Sequence, residues 1–343
     1  HNLILAFEEV SGEDLNWFFN QWYLGSGHPE LKYSQVIDTL NHKLIVTVEQ
    51  TQDLERSPIY RIPFEIAVFD EAGKHVHAVE LDELKASFEF GYTGTLKAYI
   101  YDNQQMILSQ KEESKSIDHF VNQYYLGERY MARKEALMNG VPEEVSELSD
   151  ASQQLVLDAL KDSFWHIRSL ALGKVGQLKG TYASAAKEIV SGILKDDPKS
   201  DVRVAALSAI KALEVDTVAL MTLLKGRVSE DRSYAVISVA LRELAGVDTE
   251  EAMKLAETLQ TEKSSKIVYG ITQLYAVKGG PEKFDFIKSA LNGKVVRGFD
   301  RLGVLNSLTI FLTRQDPQVA EKALDLYAKQ SETGGMYMKM FLP

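Results

Sequence analysis

The sequence predicts a multidomain β plus α protein, a β-sandwich followed by an α-α superhelix of repeated helix pairs. Three observations carry this expectation. From about residue 29 to residue 110 apolar and polar residues alternate; after Ser116 the spacing becomes helical with few prolines; and within that second region a short pattern recurs. The expected boundaries put a terminal helix in residues 1–27, the sandwich in 28–113 and the helical repeats in 114–343.

In chain order, the first expected element is a helix over residues 11–24. Ser11 is placed to cap it and Asp14 lies near its positive end, while Leu15, Phe18, Phe19 and Trp22 recur at spacings of three and four. Gly25-Ser26-Gly27 should end it. The aromatic group Trp17, Phe18, Phe19, Trp22 and Tyr23 is assigned to core against the sandwich, with the lining of a ligand pocket as the alternative. Strands are then predicted at 36–40, around Leu44, Val46 and Val48, around Ile62 to Val68, and at 75–81, 86–90 and 96–101. Turn signals at Arg56-Ser57-Pro58, Glu71-Ala72-Gly73 and Gly91 to Gly94 separate them, and short strands without intervening helices imply a sandwich.

The recurring pattern in the helical region is clearest where Asp162 to Leu172 resembles Asp197 to Leu207. Weaker echoes follow at Arg232 to Leu241, Ser264 to Leu274 and Asp300 to Leu308. A period of roughly 31–35 residues suits stacked helix pairs, and an acidic turn residue followed by Val/Ile-Arg and an Ala/Leu-rich helix has the look of HEAT-type repeats. The acidic residue is expected to cap the helix and the arginine to bridge neighbouring turns. Arg168 and Arg203 are therefore assigned to supporting the repeats, with anion binding on a concave face as the alternative.

Composition narrows the function. A net charge of -11 disfavours nucleic acid and anionic membrane surfaces as partners, and no apolar run approaches the roughly 20 residues of a membrane helix. Without cysteine there is no thiolate metal site or disulfide, and the compartment stays open. None of the seven histidines belongs to a His-Glu-x-x-His motif. The close pair His75 and His77 would share one face of a strand and is assigned to a solvated face rather than to metal. No Walker loop or Gly-x-Ser-x-Gly elbow occurs. The acid pairs Glu112-Glu113, Glu143-Glu144, Asp196-Asp197 and Glu250-Glu251 suit helix caps and first turns. No catalytic, cofactor-binding or metal residue is therefore expected in this chain. The opening at His1 and the apolar run Met336 to Phe341 suit a piece cut from a longer protein, whose bare end would favour self-association.

One string carries a resemblance. Val10-Ser11-Gly12-Glu13-Asp14-Leu15-Asn16-Trp17-Phe18-Phe19-Asn20-Gln21-Trp22, continuing to Gly27-His28-Pro29-Glu30-Leu31, resembles the end of the catalytic domain of M1-family zinc aminopeptidases, the aminopeptidase N-like enzymes. There a last helix runs through a Gly-x-Pro turn into a β-sandwich and then a helical-repeat domain. The resemblance implies that this chain is the C-terminal region without the catalytic domain. Zinc and its ligands would lie in that missing domain, which is also the expected partner, and peptide substrates would be met through the parent enzyme with the helical domain covering the cleft. The alternative is an M1-like interaction scaffold without catalysis.

Overall fold

The computed structural model describes residues 2–143 and 147–333, so the apolar run at Met336 to Phe341 and part of the Glu143-Glu144 pair lie outside the described residues. By its contacts the chain forms two compact units, His1–Ala159 and Leu160–Pro343.

The first unit opens with α1 (Asn2–Ser11), which buries none of its residues. Ser11 therefore ends a helix instead of starting one. The left-handed Gly12, at φ 74°, breaks the chain there, and α2 (Asn16–Phe19) restarts after Asp14 and Glu8 accept the amides of Asn16 and Leu15. A π-helical turn at Asn20–Leu24 follows and stops at Gly25, as the glycine run predicts.

Seven strands then build two sheets: β1 (Glu30–Asp38), β2 (Lys43–Gln50), β3 (Ile62–Phe69), β4 (Lys74–Leu81), β5 (Lys85–Gly91), β6 (Ala98–Tyr101) and β7 (Gln110–Glu113). Their orders are β5-β2-β1-β7 and β4-β3-β6. The neighbours are antiparallel except β1 and β7, which are parallel with Glu30 opposite Gln110. Alternation works as the sequence implies, because Leu44, Val46 and Val48 of one sheet and Ile62, Phe64, Ile66 and Val68 of the other share one buried core. The first strand differs from its expected span of 36–40. It starts at Glu30, and Leu40 lies in the turn that Asp38 closes by accepting the amides of Leu40 and Asn41. All four residues of β6 are buried, since Tyr99 and Tyr101 face the sandwich core while Ala98 and Ile100 face the other way. On that second face they meet Ala132 of α4 (Tyr130–Gly140), which pairs with α3 (Ile117–Leu126); α5 (Asp150–Ala159) completes the unit.

The described residues of the second unit form helices without strands: α6 (Trp165–Leu172), α7 (Gly180–Asp196), α8 (Ser200–Ala209), α9 (Thr217–Glu230), α10 (Tyr234–Ala245), α11 (Thr249–Thr258), α12 (Ser265–Lys278), α13 (Phe284–Asn292), α14 (Gly298–Leu312) and α15 (Pro317–Thr333). Helices α6, α8, α10, α12 and α14 form a row in which each packs on the next. These are the five places where the repeated pattern was predicted. Helices α7, α9, α11 and α13 each pack against a member of that row. The stripes that hold the row are spaced by three or four, as in Val202, Ala206 and Ala209, or Ile267, Ile271 and Leu274, all buried. A two-sheet region followed by a helical region is the β plus α architecture the sequence predicts.

Candidate functional site

The motif around Trp17 to Pro29 is pinned to the sandwich at several points. Trp22 stacks near Tyr60, with centroids 5.3 Å apart, and the Gln21 side chain accepts from the Arg61 amide at 2.8 Å and donates to its carbonyl at 2.9 Å. Gly27 has φ 89°, and a Cβ there would lie 2.1 Å from Ser57 Oγ, so glycine is what lets the turn lie against the 57–60 segment. Beside this anchor the Arg61 guanidinium lies 4.5 Å from the Trp17 ring centre while it pairs with both Glu80 oxygens.

The aromatic group assigned to core divides. Phe19 is buried and Trp22 packs on the sandwich core, but Phe18 and Tyr23 are exposed. Trp17, Phe18 and Trp22 line an apolar groove of about 600 Å³ together with the buried Ile62 and Phe64. The loop after β6 also lines it, presenting Met106 at 81% and Leu108 at 76% exposure. That loop is fixed by the left-handed Asp102 and Gln105, at φ 51° and 55°, and by Asp102 accepting the Ile107 amide at 2.9 Å. At the groove's polar end, hydrogen bonds from the Asn103 and Gln104 amides hold the Glu65 carboxyl below the usual carboxylate range. This arrangement suits contact with apolar surface. The sequence offered a pocket lining only as the alternative to core for these aromatics, because a core pattern and a groove pattern on one helix are the same pattern.

A second constellation was missed. Glu113 of β7, read within an acid pair as a cap or first-turn residue, is instead enclosed with Lys111, Lys115 and Glu135. Lys115 Nζ lies 2.6 Å from Glu113 Oε2 and donates to Gln123 Oε1 at 2.7 Å, and its side chain has 0% exposure. Lys111 Nζ reaches Glu113 Oε1 at 2.8 Å and also touches Glu135. Both Glu113 oxygens are enclosed, and each faces a lysine ammonium. The Lys115 ammonium is walled by the Tyr101, Phe120 and Tyr99 rings at 4.6, 5.3 and 5.5 Å. Burial lowers the Lys115 ammonium and raises the Glu135 carboxyl; burial also acts upward on Glu113, but Lys115 and Lys111 outweigh it and hold that carboxyl low. Lys111, Glu113 and Lys115 alternate along one short charged segment, but Glu135 and Gln123 come from later helices, so the segment does not announce the group by itself.

In the second unit Arg168 and Arg203 support the repeats. Arg168 binds both Asp197 oxygens at 2.7 and 2.9 Å and donates to the Asp162 and Ser163 carbonyls. Arg203 repeats this one step on, binding both Asp231 oxygens at 2.9 and 2.7 Å and the Asp197 carbonyl. Their guanidinium groups are committed within the array, which displaces the anion-binding alternative. The aspartates work differently from helix caps. Asp162, Asp197 and Asp231 each accept the amide two residues ahead, at Phe164, Lys199 and Ser233, so they close the turn before the helix.

His75 and His77 lie on β4, but the expected solvated face is only partly so. His75 Nε2 is 3.2 Å from Asp70, while His77 is half-buried against the Phe90 ring. Among the described residues no group of three or more His, Asp or Glu side chains is placed to hold a metal ion, and no helix is long and apolar enough to cross a membrane. Glu250 and Glu251 do occupy the first turn of α11.

The fold of this chain is shared with part of a solved aminopeptidase. One solved structure that shares it is Legionella pneumophila aminopeptidase A in complex with aspartic acid, similar at a TM-score of 0.59 and 14% identity over 90% of this chain and 42% of that one. The chain thus spans less than half the length of that protein. No family model and no curated protein matches the sequence.

Proposed function

We propose that this chain is the non-catalytic C-terminal region of an M1-type zinc aminopeptidase, which removes single residues from the N-termini of peptides. The observation that carries the reading is the fold likeness to an aminopeptidase across 90% of this chain, through both its sheets and its helices. The string from Val10 to Leu31 adds to it, since the helix, the glycine turn and β1 follow one another where the resemblance to M1 enzymes puts them. The side chains among the described residues do not gather into a zinc site. In this reading zinc and the bond-breaking chemistry belong to a catalytic domain ahead of the chain, as the resemblance implies, and no catalytic step is assigned to these residues. The helical unit would cover the cleft of that domain and limit entry to peptides.

The test is an aminopeptidase assay on two proteins. The metal-stripped 343-residue chain should leave aminoacyl-naphthylamides intact, whereas the same chain joined to the region encoded ahead of it should hydrolyse them only with zinc present. Hydrolysis by the stripped chain would overturn the proposal. An upstream region lacking His-Glu-x-x-His and a later glutamate ligand would point instead to an M1-like interaction scaffold.

A further inference from the structure

Strand β7 contains no apolar residue, yet it forms. Gln110-Lys111-Glu112-Glu113 lies at the edge of its sheet and pairs with β1 alone, bringing nothing for the hydrophobic effect to bury. What it brings is Lys111 and Glu113, and both find enclosed partners of opposite charge: Glu135 on α4 and Lys115 at the entry to α3. We propose that this ion quartet is a latch, in which charge pairing holds β7 in the sheet and seats α3 and α4 against it as one unit that opens together.

The geometry supports a latch in three ways. Lys111 meets two carboxylates and Glu113 meets two ammonium groups, so withdrawing either helix leaves the enclosed remainder with an uncompensated net charge. Lys115 is completely enclosed and ringed by Tyr99, Tyr101 and Phe120, so a shifted α3 would carry its ammonium into apolar surroundings without a counter-charge. Gln123 fixes the remaining freedom, accepting from Lys115 while donating to the Ala132 carbonyl and to Glu135, and so ties the two helices to the same group. Apolar residues of similar volume could supply as much stability as a buried ion pair, so the distinctive effect expected of the charges is to specify one seat.

Backbone hydrogen exchange on the whole chain tests this. In Lys115→Met the amides of residues 110–113 and of α3 should lose about tenfold or more in protection, while Val46 and Val48 of β2 keep theirs. The double variant Glu113→Gln/Lys115→Met removes the pair without leaving that carboxylate bare, and it decides the matter even where the single variant fails to fold. Selective loss at β7 and α3 in the double variant supports the latch. Protection there equal to wild type, or an equal loss at β2 and β7 in either variant, overturns it and leaves the quartet as a contributor to general stability.

Discussion

Between α6 and α10 successive helices of the row are tied by arginine–aspartate pairs, whereas between α10 and α14 they meet through glycine at close approach. In the first half Arg168 reaches Asp197 and Arg203 reaches Asp231, and Arg227 adds a second cation to Asp231 at 3.4 Å. At the place these arginines hold in their helices, α10 carries Ile237 and α12 carries Val268, both buried, and the ladder stops. There a Cβ at Gly270 would lie 2.1 Å from Ser238 Oγ, and one at Gly303 would lie 2.4 Å from the Tyr269 ring. Gly270 and Gly303 occupy the same place in their helices, and each faces the residue before that place in the preceding helix. One packing problem has an electrostatic solution in one half and a steric solution in the other, which gives the halves different sensitivities.

The largest expected effect is at Asp231. Asp231→Asn leaves Arg203 without its carboxylate in a largely buried setting and should cost about 3 kcal/mol in chemical denaturation, the scale for breaking one side of a buried pair. The same residue sets a pH response. Burial acts to raise the Asp231 carboxyl, but Arg203 and the Ser233 amide outweigh it, so its folded-state value lies below the ordinary 3.8. Its contribution is therefore complete well above that value and is lost as pH falls through it toward the folded-state value, a loss that should be blunted in the asparagine variant. Denaturation midpoints measured from neutral pH down to about pH 3 would show whether the two curves converge.

A smaller effect is expected in the other half. Gly303→Ala should cost about 1–3 kcal/mol, because the Tyr269 ring must move to admit a methyl group, and the loss should be independent of pH and salt. A salt-dependent loss would contradict a steric origin. The smallest effect belongs to the exposed pair between Lys266 and Asp300, at 2.8 Å. Lys266→Ala should change stability by less than about 1 kcal/mol, and a result near that of Asp231→Asn would erase the contrast between the halves.

Much of this architecture was legible in the sequence because it is written in periodic apolar residues. The alternation Leu44, Val46, Val48 and the five recurring helix starts each lie within one segment and survive into the structure. What escaped was held by distant polar contacts. β7 has no apolar alternation to detect, since it has no apolar residue and is held by β1, by Lys115 ahead of α3 and by Glu135 of α4, and Ser11 looked like a cap because a left-handed glycine next to it was invisible as a break. The groove was half visible. Trp17, Phe18 and Trp22 were conspicuous, but Met106 and Leu108 reach the same place only through the loop after β6, whose two left-handed residues leave no mark in hydropathy.

Asp197 and Asp231 each belong to two repeats at once, closing the turn of one helix while receiving the arginine of the helix before it. The natural module for cutting or grafting this array therefore does not coincide with a helix pair. A segment bounded at the turns would export an arginine and leave its aspartate behind, whereas one running from just after one turn aspartate through the next keeps each arginine with the acid it reaches. Gain or loss of repeats by recombination should respect that offset frame in the first half of the array and be indifferent to it in the second, where glycine contacts carry no such shared residue.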